Sequence, residues 1–171
     1  MLTLATRLEA INRFIGKTIA WLALAMVLIT VVVVIERYLF ESGSIRLQES
    51  ITFMHALVFM LAAAYTLAAG DHVRVDIFYS TLSPRAQAWV DLLGSLFLLL
   101  PFCVFLLWSS WGYVAVSWDI KEASQEAGGL PYPFIPLMKS AIPVTALLLA
   151  GQGLVIGARS LTRLNVDASE T

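Results

Sequence analysis

LLGSLFLLLPFCVFLLWSSWGYVAVSW, Leu92 to Trp118, runs for 27 residues without a charged side chain. The hydrocarbon core of a bilayer, about 30 Å thick, is crossed by roughly 20 apolar residues of helix, so this stretch alone is long enough to span it. Working outward, three more charge-free stretches appear: Ser50 to Gly70 and Thr18 to Ile35 before it, and Ser140 to Ala158 after it. Their hydrophobicity is continuous rather than confined to one face, as expected of helices surrounded by lipid, and no short alternating strands suggest a barrel. The fold class that follows is all-α: a polytopic membrane protein with four transmembrane helices plus short interfacial helical segments. The chain reads as one membrane domain, residues 1–171, with spans near 16–36, 50–70, 88–118 and 140–159.

Composition agrees with this reading. The chain is 59% hydrophobic and 13% charged, with a mean hydropathy of +0.81, and the connections between spans are too short for a soluble domain. A formal net charge of −1 lacks the basic footprint that phosphate neutralisation requires, so no nucleic-acid partner is expected. Cys103, the single cysteine, cannot form an internal disulfide or by itself a structural zinc site; it reads as a small apolar filler.

The first apolar stretch ends in Ile35-Glu36-Arg37-Tyr38 without a small-residue cleavage site, so it reads as a retained helix rather than a secretory signal. Its lead-in places Leu4, Leu8, Ile11, Phe14 and Ile15 on one helical face, which predicts contact with the lipid interface. Arg7, Arg13, Lys17, Arg74, Arg85, Arg159 and Arg163 fall on one side of the predicted topology. Arg37, Arg46, Lys121 and Lys139 fall on the other. The positive-inside rule then predicts that both termini are cytoplasmic. Ser83-Pro84 predicts a capped start for the third helix, and Pro101 a bend point within it. Gly128-Gly129-Leu130-Pro131-Tyr132-Pro133 and Pro136 predict a structured extracytoplasmic loop between Asp119 and Lys139.

Few residues within the spans could carry chemistry. His55 is the ionisable group away from the span ends; it reads as a histidine bonding to a neighbouring helix, with a proton relay as the alternative. His55 and His72 lie about 25 Å apart along a helix, too far to clamp one haem iron from a continuous segment. Glu49, Asp91 and Asp119 stand at span ends and read as solvated boundary charges. Gly153 and Gly157, with Gly151 and Gln152 beside them, form a close-packing surface. No catalytic, cofactor-binding or metal residues emerge, and an auxiliary membrane subunit fits better than an enzyme. A self-contained small transporter and a membrane anchor of a redox enzyme are the alternatives.

Between the second and third spans lies Gly70-Asp71-His72-Val73-Arg74-Val75-Asp76-Ile77, followed by Leu82-Ser83-Pro84-Arg85. This resembles the signature of the small permease subunit of tripartite ATP-independent periplasmic (TRAP) transporters, the DctQ-like family. Arg37-Tyr38, Gln48-Glu49-Ser50, Glu122-x-Ser124, Gly128-Gly129-Leu130-Pro131 and Lys139-x-x-Ile142-Pro143 match in the same order. One departure is at the second helix, where Glu49 stands alone and many relatives carry paired glutamates.

The resemblance implies a bacterial inner-membrane protein that supports a large permease subunit. That subunit carries sodium and an organic acid, which a periplasmic binding protein delivers in transient contact. Sodium is then expected in the large subunit, with no cofactor in this chain. The family positions Arg37, Glu49, Gly70, His72, Arg74, Asp76, Glu122, Ser124, Gly129, Pro131, Lys139 and Pro143 are expected at an interface with a subunit or with membrane phospholipids. If the signature is extended, Val73, Val75 and Ile77 face one way and His72, Arg74 and Asp76 the other. Such a strip could meet lipid headgroups or a partner loop; alternatively, Arg74 and Asp76 pair and fix the turn.

Overall fold

Serine, proline and glycine set the helix ends. In the computed structural model, which describes residues 2–70 and 76–169, α1 runs Leu2–Leu39 and α2 Ile45–Ala69. The hydroxyl of Ser44 accepts from the Leu47 amide at the start of α2. Gly70, at φ 79°, ends it in the left-handed conformation that glycine adopts without a Cβ penalty. A short helix, α3, covers Asp76–Tyr79. Ser83 then caps α4, Pro84–Gly94, by accepting from the Ala86 amide, with Pro84 in the first turn as its sequence predicts. A π-helical segment, Ser95–Leu99, joins α4 to α5, Leu100–Asp119. The last helix, α6, spans Phe134–Ser169.

Four rods are therefore long and apolar enough to cross a membrane: α1, α2, the continuous α4–α5 unit and α6. At 1.5 Å per residue, α1, α4–α5 and α6 each exceed about 50 Å, well beyond the hydrocarbon thickness, whereas α2 is shorter. Among the described residues there is no strand. The helices run up and down, with α1 against α2, α2 against α6, and α6 against α4 and α5. The molecule has a connection end, carrying the loops at 40–44 and 120–133, and a termini end.

Close approach depends on small residues, as is usual where lipid removes the hydrophobic drive between helices. Ala64 of α2, Cys103 of α5 and Leu149 of α6 form the buried centre, with Leu67, Leu99 and Leu148 packed around it. Cys103 is thus the filler its sequence context suggests. At Gly16 of α1 the Tyr65 ring lies so close that an added Cβ would sit 2.6 Å from its Cδ2.

Two expectations, on Pro101 and Pro136, are corrected. The lead-in of α1 buries Asn12, Gly16 and Ile19 and leaves Ile11 and Phe14, on its apolar face, exposed. Asn12 Nδ2 donates to Gln152 Oε1 at 3.2 Å, so hydrogen bonding to α6, rather than the apolar face alone, decides which side turns inward. The irregularity of the third rod precedes Pro101: the Leu100 amide bonds to the Ser95 carbonyl five residues back. This one-turn widening accompanies contacts between Ser95, Leu99 and Gly153. Pro136 lies in the first turn of α6 rather than in the loop, at a position where a missing N–H breaks no intrahelical bond.

Candidate functional site

The loop between α5 and α6 is bound to the helices by carboxylates. Glu49, near the start of α2, accepts from the Leu130 amide at 2.6 Å and from the Ser124 hydroxyl. The loop closes on itself where the Ser124 amide donates to the Leu130 carbonyl at 2.9 Å and the Glu126 amide to the Ser124 hydroxyl at 3.1 Å. Gly129 makes room for this arrangement, because a Cβ there would lie 2.6 Å from Glu49 Oε2. Pro131 contributes its carbonyl, which accepts from the Phe134 amide as α6 begins.

One turn away a second carboxylate acts in the same way. Glu122 Oε2 accepts from Ser117 Oγ at 2.6 Å and from Lys139 Nζ at 2.5 Å, joining α5, the loop and α6. The ammonium of Lys139 lies 4.0 Å above the Tyr113 ring, adding a cation–π contact. Donation from Lys139 and then from Ser117 lowers the pKa of Glu122 below the ordinary carboxylate range, against a smaller opposing effect of burial. Trp118 Nε1 bonds to Ser140 Oγ at 3.0 Å, and its ring meets Tyr132 edge-on. Phe53 and Phe134 make a similar contact between α2 and α6.

Six positions marked by the family resemblance therefore converge on one lock: Glu49, Glu122, Ser124, Gly129, Pro131 and Lys139. Glu49 is not the solvated boundary charge its position suggests, since loop donors occupy both of its oxygens. Asp91 likewise accepts from the Tyr79 hydroxyl at 2.9 Å. Asp119 remains exposed. Arg37 is exposed near the end of α1, on the same end of the molecule as the lock. Pro143 sits inside α6, where it lacks the N–H that would bond to the Lys139 carbonyl one turn earlier.

Gly70 caps α2 and Asp76 opens α3, while His72 and Arg74 lie outside the described residues. Ile77 is helical and exposed, so the extended alternation does not continue to that position. His55 is exposed and makes no hydrogen bond among the described residues, so the helix that it is expected to bond is not found among them.

Sequence reasoning missed the partners of the lock, Ser117 and Tyr113, and a second polar contact at the termini end. There, Arg159 grips Glu9 through two nitrogens, at 2.6 and 3.0 Å, beside the Asn12–Gln152 bond. The available signal was an amide in each helix, Asn12 in the lead-in of α1 and Gln152 in the charge-free stretch of α6. The glycines of α6 pack within the chain: Ser95 Oγ donates to the Gly153 carbonyl at 2.5 Å, and Leu92 lies near Gly157. Chemically these groups tie helices to one another. Among the described residues no three His, Cys, Asp or Glu side chains gather as a metal site.

A family model described as "Tripartite ATP-independent periplasmic transporters, DctQ component" matches residues 26–163 of the 171-residue chain. No curated protein and no solved structure matches the chain.

Proposed function

The chain belongs to the DctQ component family of TRAP transporters, a transporter component rather than an enzyme, and we propose that it braces the large permease subunit during solute uptake. In this reading the permease moves sodium and an organic acid, and a periplasmic binding protein supplies the acid. In the same reading both termini lie in the bacterial cytoplasm and the Glu49–Glu122 lock on the periplasmic side, an orientation supported by the positive-inside count. A carrier that moves one part of itself against another needs a fixed part, and four tied helices enlarge that part against lateral drift.

One observation carries the proposal. The hydroxyls of Thr18, Thr30, Ser50, Thr66, Ser95 and Ser110 bond to helix carbonyls within the chain, whereas His55 faces outward from α2. Gln48, Thr52 and Phe59 continue the same exposed stripe. Acyl chains cannot satisfy an imidazole, and exposing a polar group to hydrocarbon is costly. A protein partner can satisfy it, which favours docking of α2 on the large subunit.

The test is reconstitution. Proteoliposomes holding both membrane subunits, supplied with the binding protein and a sodium gradient, are expected to accumulate solute. Vesicles holding this chain alone are expected to accumulate none. Uptake by the lone chain would overturn the proposal, as would failure of the two subunits to copurify.

A further inference from the structure

A groove of about 630 Å³ opens at the termini end where α2, α3, α4 and α6 meet. Its composition changes along its length. Leu67, Leu98 and Ile156 supply an apolar wall, while Tyr79, Arg159 and Arg163 supply polar lining. Ile156, Arg159 and Arg163 are spaced three and four residues apart, so α6 turns one face to the groove and grades it from aliphatic to cationic within about two turns. Arg159 follows directly on the charge-free stretch that ends at Ala158, and Arg163 lies one turn further on. They therefore lie where hydrocarbon gives way to headgroups.

The two cations are not equivalent. Arg159 is committed to Glu9, although half of its side chain remains exposed. Arg163 is exposed and forms no ion pair among the described residues. The acidic group of the groove, Asp91, accepts from the Tyr79 hydroxyl. With Arg159 paired to Glu9 and Asp91 engaged by a neutral donor, Arg163 is, among the described residues lining the groove, the cation without a counter-ion.

We propose that this groove binds an anionic phospholipid, its phosphate on the Arg163 guanidinium and an acyl chain along Leu67, Leu98 and Ile156. A guanidinium matches phosphate oxygens in a planar, bidentate geometry that an ammonium does not reproduce. Basic pockets between membrane helices on the cytoplasmic side recur as headgroup sites. A soluble phosphate would use the mouth and leave the apolar wall uncovered, whereas a lipid uses both. The site is independent of the transport role, because it rests on the geometry of this chain alone.

Native mass spectrometry of the full-length protein, delipidated in neutral detergent, tests the proposal by titration with phosphatidylglycerol, phosphatidylcholine and glycerol 3-phosphate. Phosphatidylglycerol is expected to be retained in preference to phosphatidylcholine. Arg163→Gln should weaken its binding about fivefold, the factor one interfacial cation supplies, and Arg163→Lys, which keeps the charge but not the planar fork, should recover only part of the loss. Leu98→Trp, which fills the wall at an exposed position, should weaken it as well. Equal retention of the two lipids would overturn the proposal. So would displacement of phosphatidylglycerol by an equal concentration of glycerol 3-phosphate, which would mark a soluble-anion site. Lipid binding indifferent to both Arg163→Gln and Leu98→Trp, with Leu98→Trp instead weakening capture of the large subunit, would assign the groove to the permease.

Discussion

Glu122 joins three segments through one carboxylate oxygen, and its ionisation is part of that joint. Its pKa is depressed in the folded chain, first by donation from Lys139 and then by Ser117. A depressed carboxylate stabilises the fold fully at pH values above its unfolded pKa, about 4.3. The contribution disappears as pH falls through the lower folded value. Thermal melting of the purified protein in detergent should therefore become less stable on acidification below about pH 4.3, and Glu122→Gln should remove part of that slope. An unchanged acid slope in the variant would show that the joint does not depend on this charge. The acceptor was legible in the sequence because it belongs to a spaced motif with Ser124 and Gly129. The donor Ser117 and the ring of Tyr113 beneath Lys139 were not: both sit in an apolar helix, and only the return of the loop brings them to Glu122 and Lys139. His55 was legible as an exception, but its direction was not, since a continuously apolar helix has no periodicity to show which side faces inward.

At the scale of the element, helix existence follows from charge-free length, while the shape of each helix depends on its neighbours. The π segment Ser95–Leu99 illustrates this. Pro101 announces a break in the regular ladder, yet the wide turn falls just upstream, where Ser95 bonds to the Gly153 carbonyl and Leu99 lies over Gly153. The sequence of α4–α5 contains the proline but not the glycine of α6 that receives the turn. A Cβ at position 153 would sit 2.9 Å from Leu99 Cδ2 and 3.4 Å from Ser95 Oγ. Gly153→Val should therefore force the two rods apart and cost about 1–3 kcal/mol, the usual penalty of overpacking. Gly112, on α5, has nothing within 4 Å of its virtual Cβ. Gly112→Ala should be neutral or stabilising by about 0.4–1 kcal/mol, through reduced freedom of the unfolded chain. Equal melting of Gly153→Val and the unmodified protein would mean that the α6 glycines are not a packing requirement. In the amino-terminal lead-in, Asn12 bonds to Gln152 and turns its own side toward α6, while Ile11 and Phe14 of the apolar face stay exposed.

For the whole molecule, the decisive feature is how its polar contacts are distributed. The connection end is tied by Glu49 and by the Glu122–Lys139 pair, and the termini end by Glu9–Arg159 and Asn12–Gln152. With both ends tied and small residues at the centre, the helices are built to keep their mutual positions rather than to open around a solute. A brace of the proposed kind must grip its partner from outside, and the exposed α2 stripe of Gln48, Thr52, His55 and Phe59 offers polar contacts beside an aromatic one. Because His55 is exposed, His55→Leu should leave the melting of the lone chain within about 0.5 kcal/mol of the unmodified protein. The same substitution should weaken copurification with the large subunit about three- to tenfold, the range expected when one interhelical hydrogen bond in a membrane is lost. His55→Gln, which keeps donor and acceptor groups, should restore much of the association. Undiminished copurification of His55→Leu would remove α2 from the interface, and a fall in the melting temperature of the lone chain would show that His55 serves the internal packing instead.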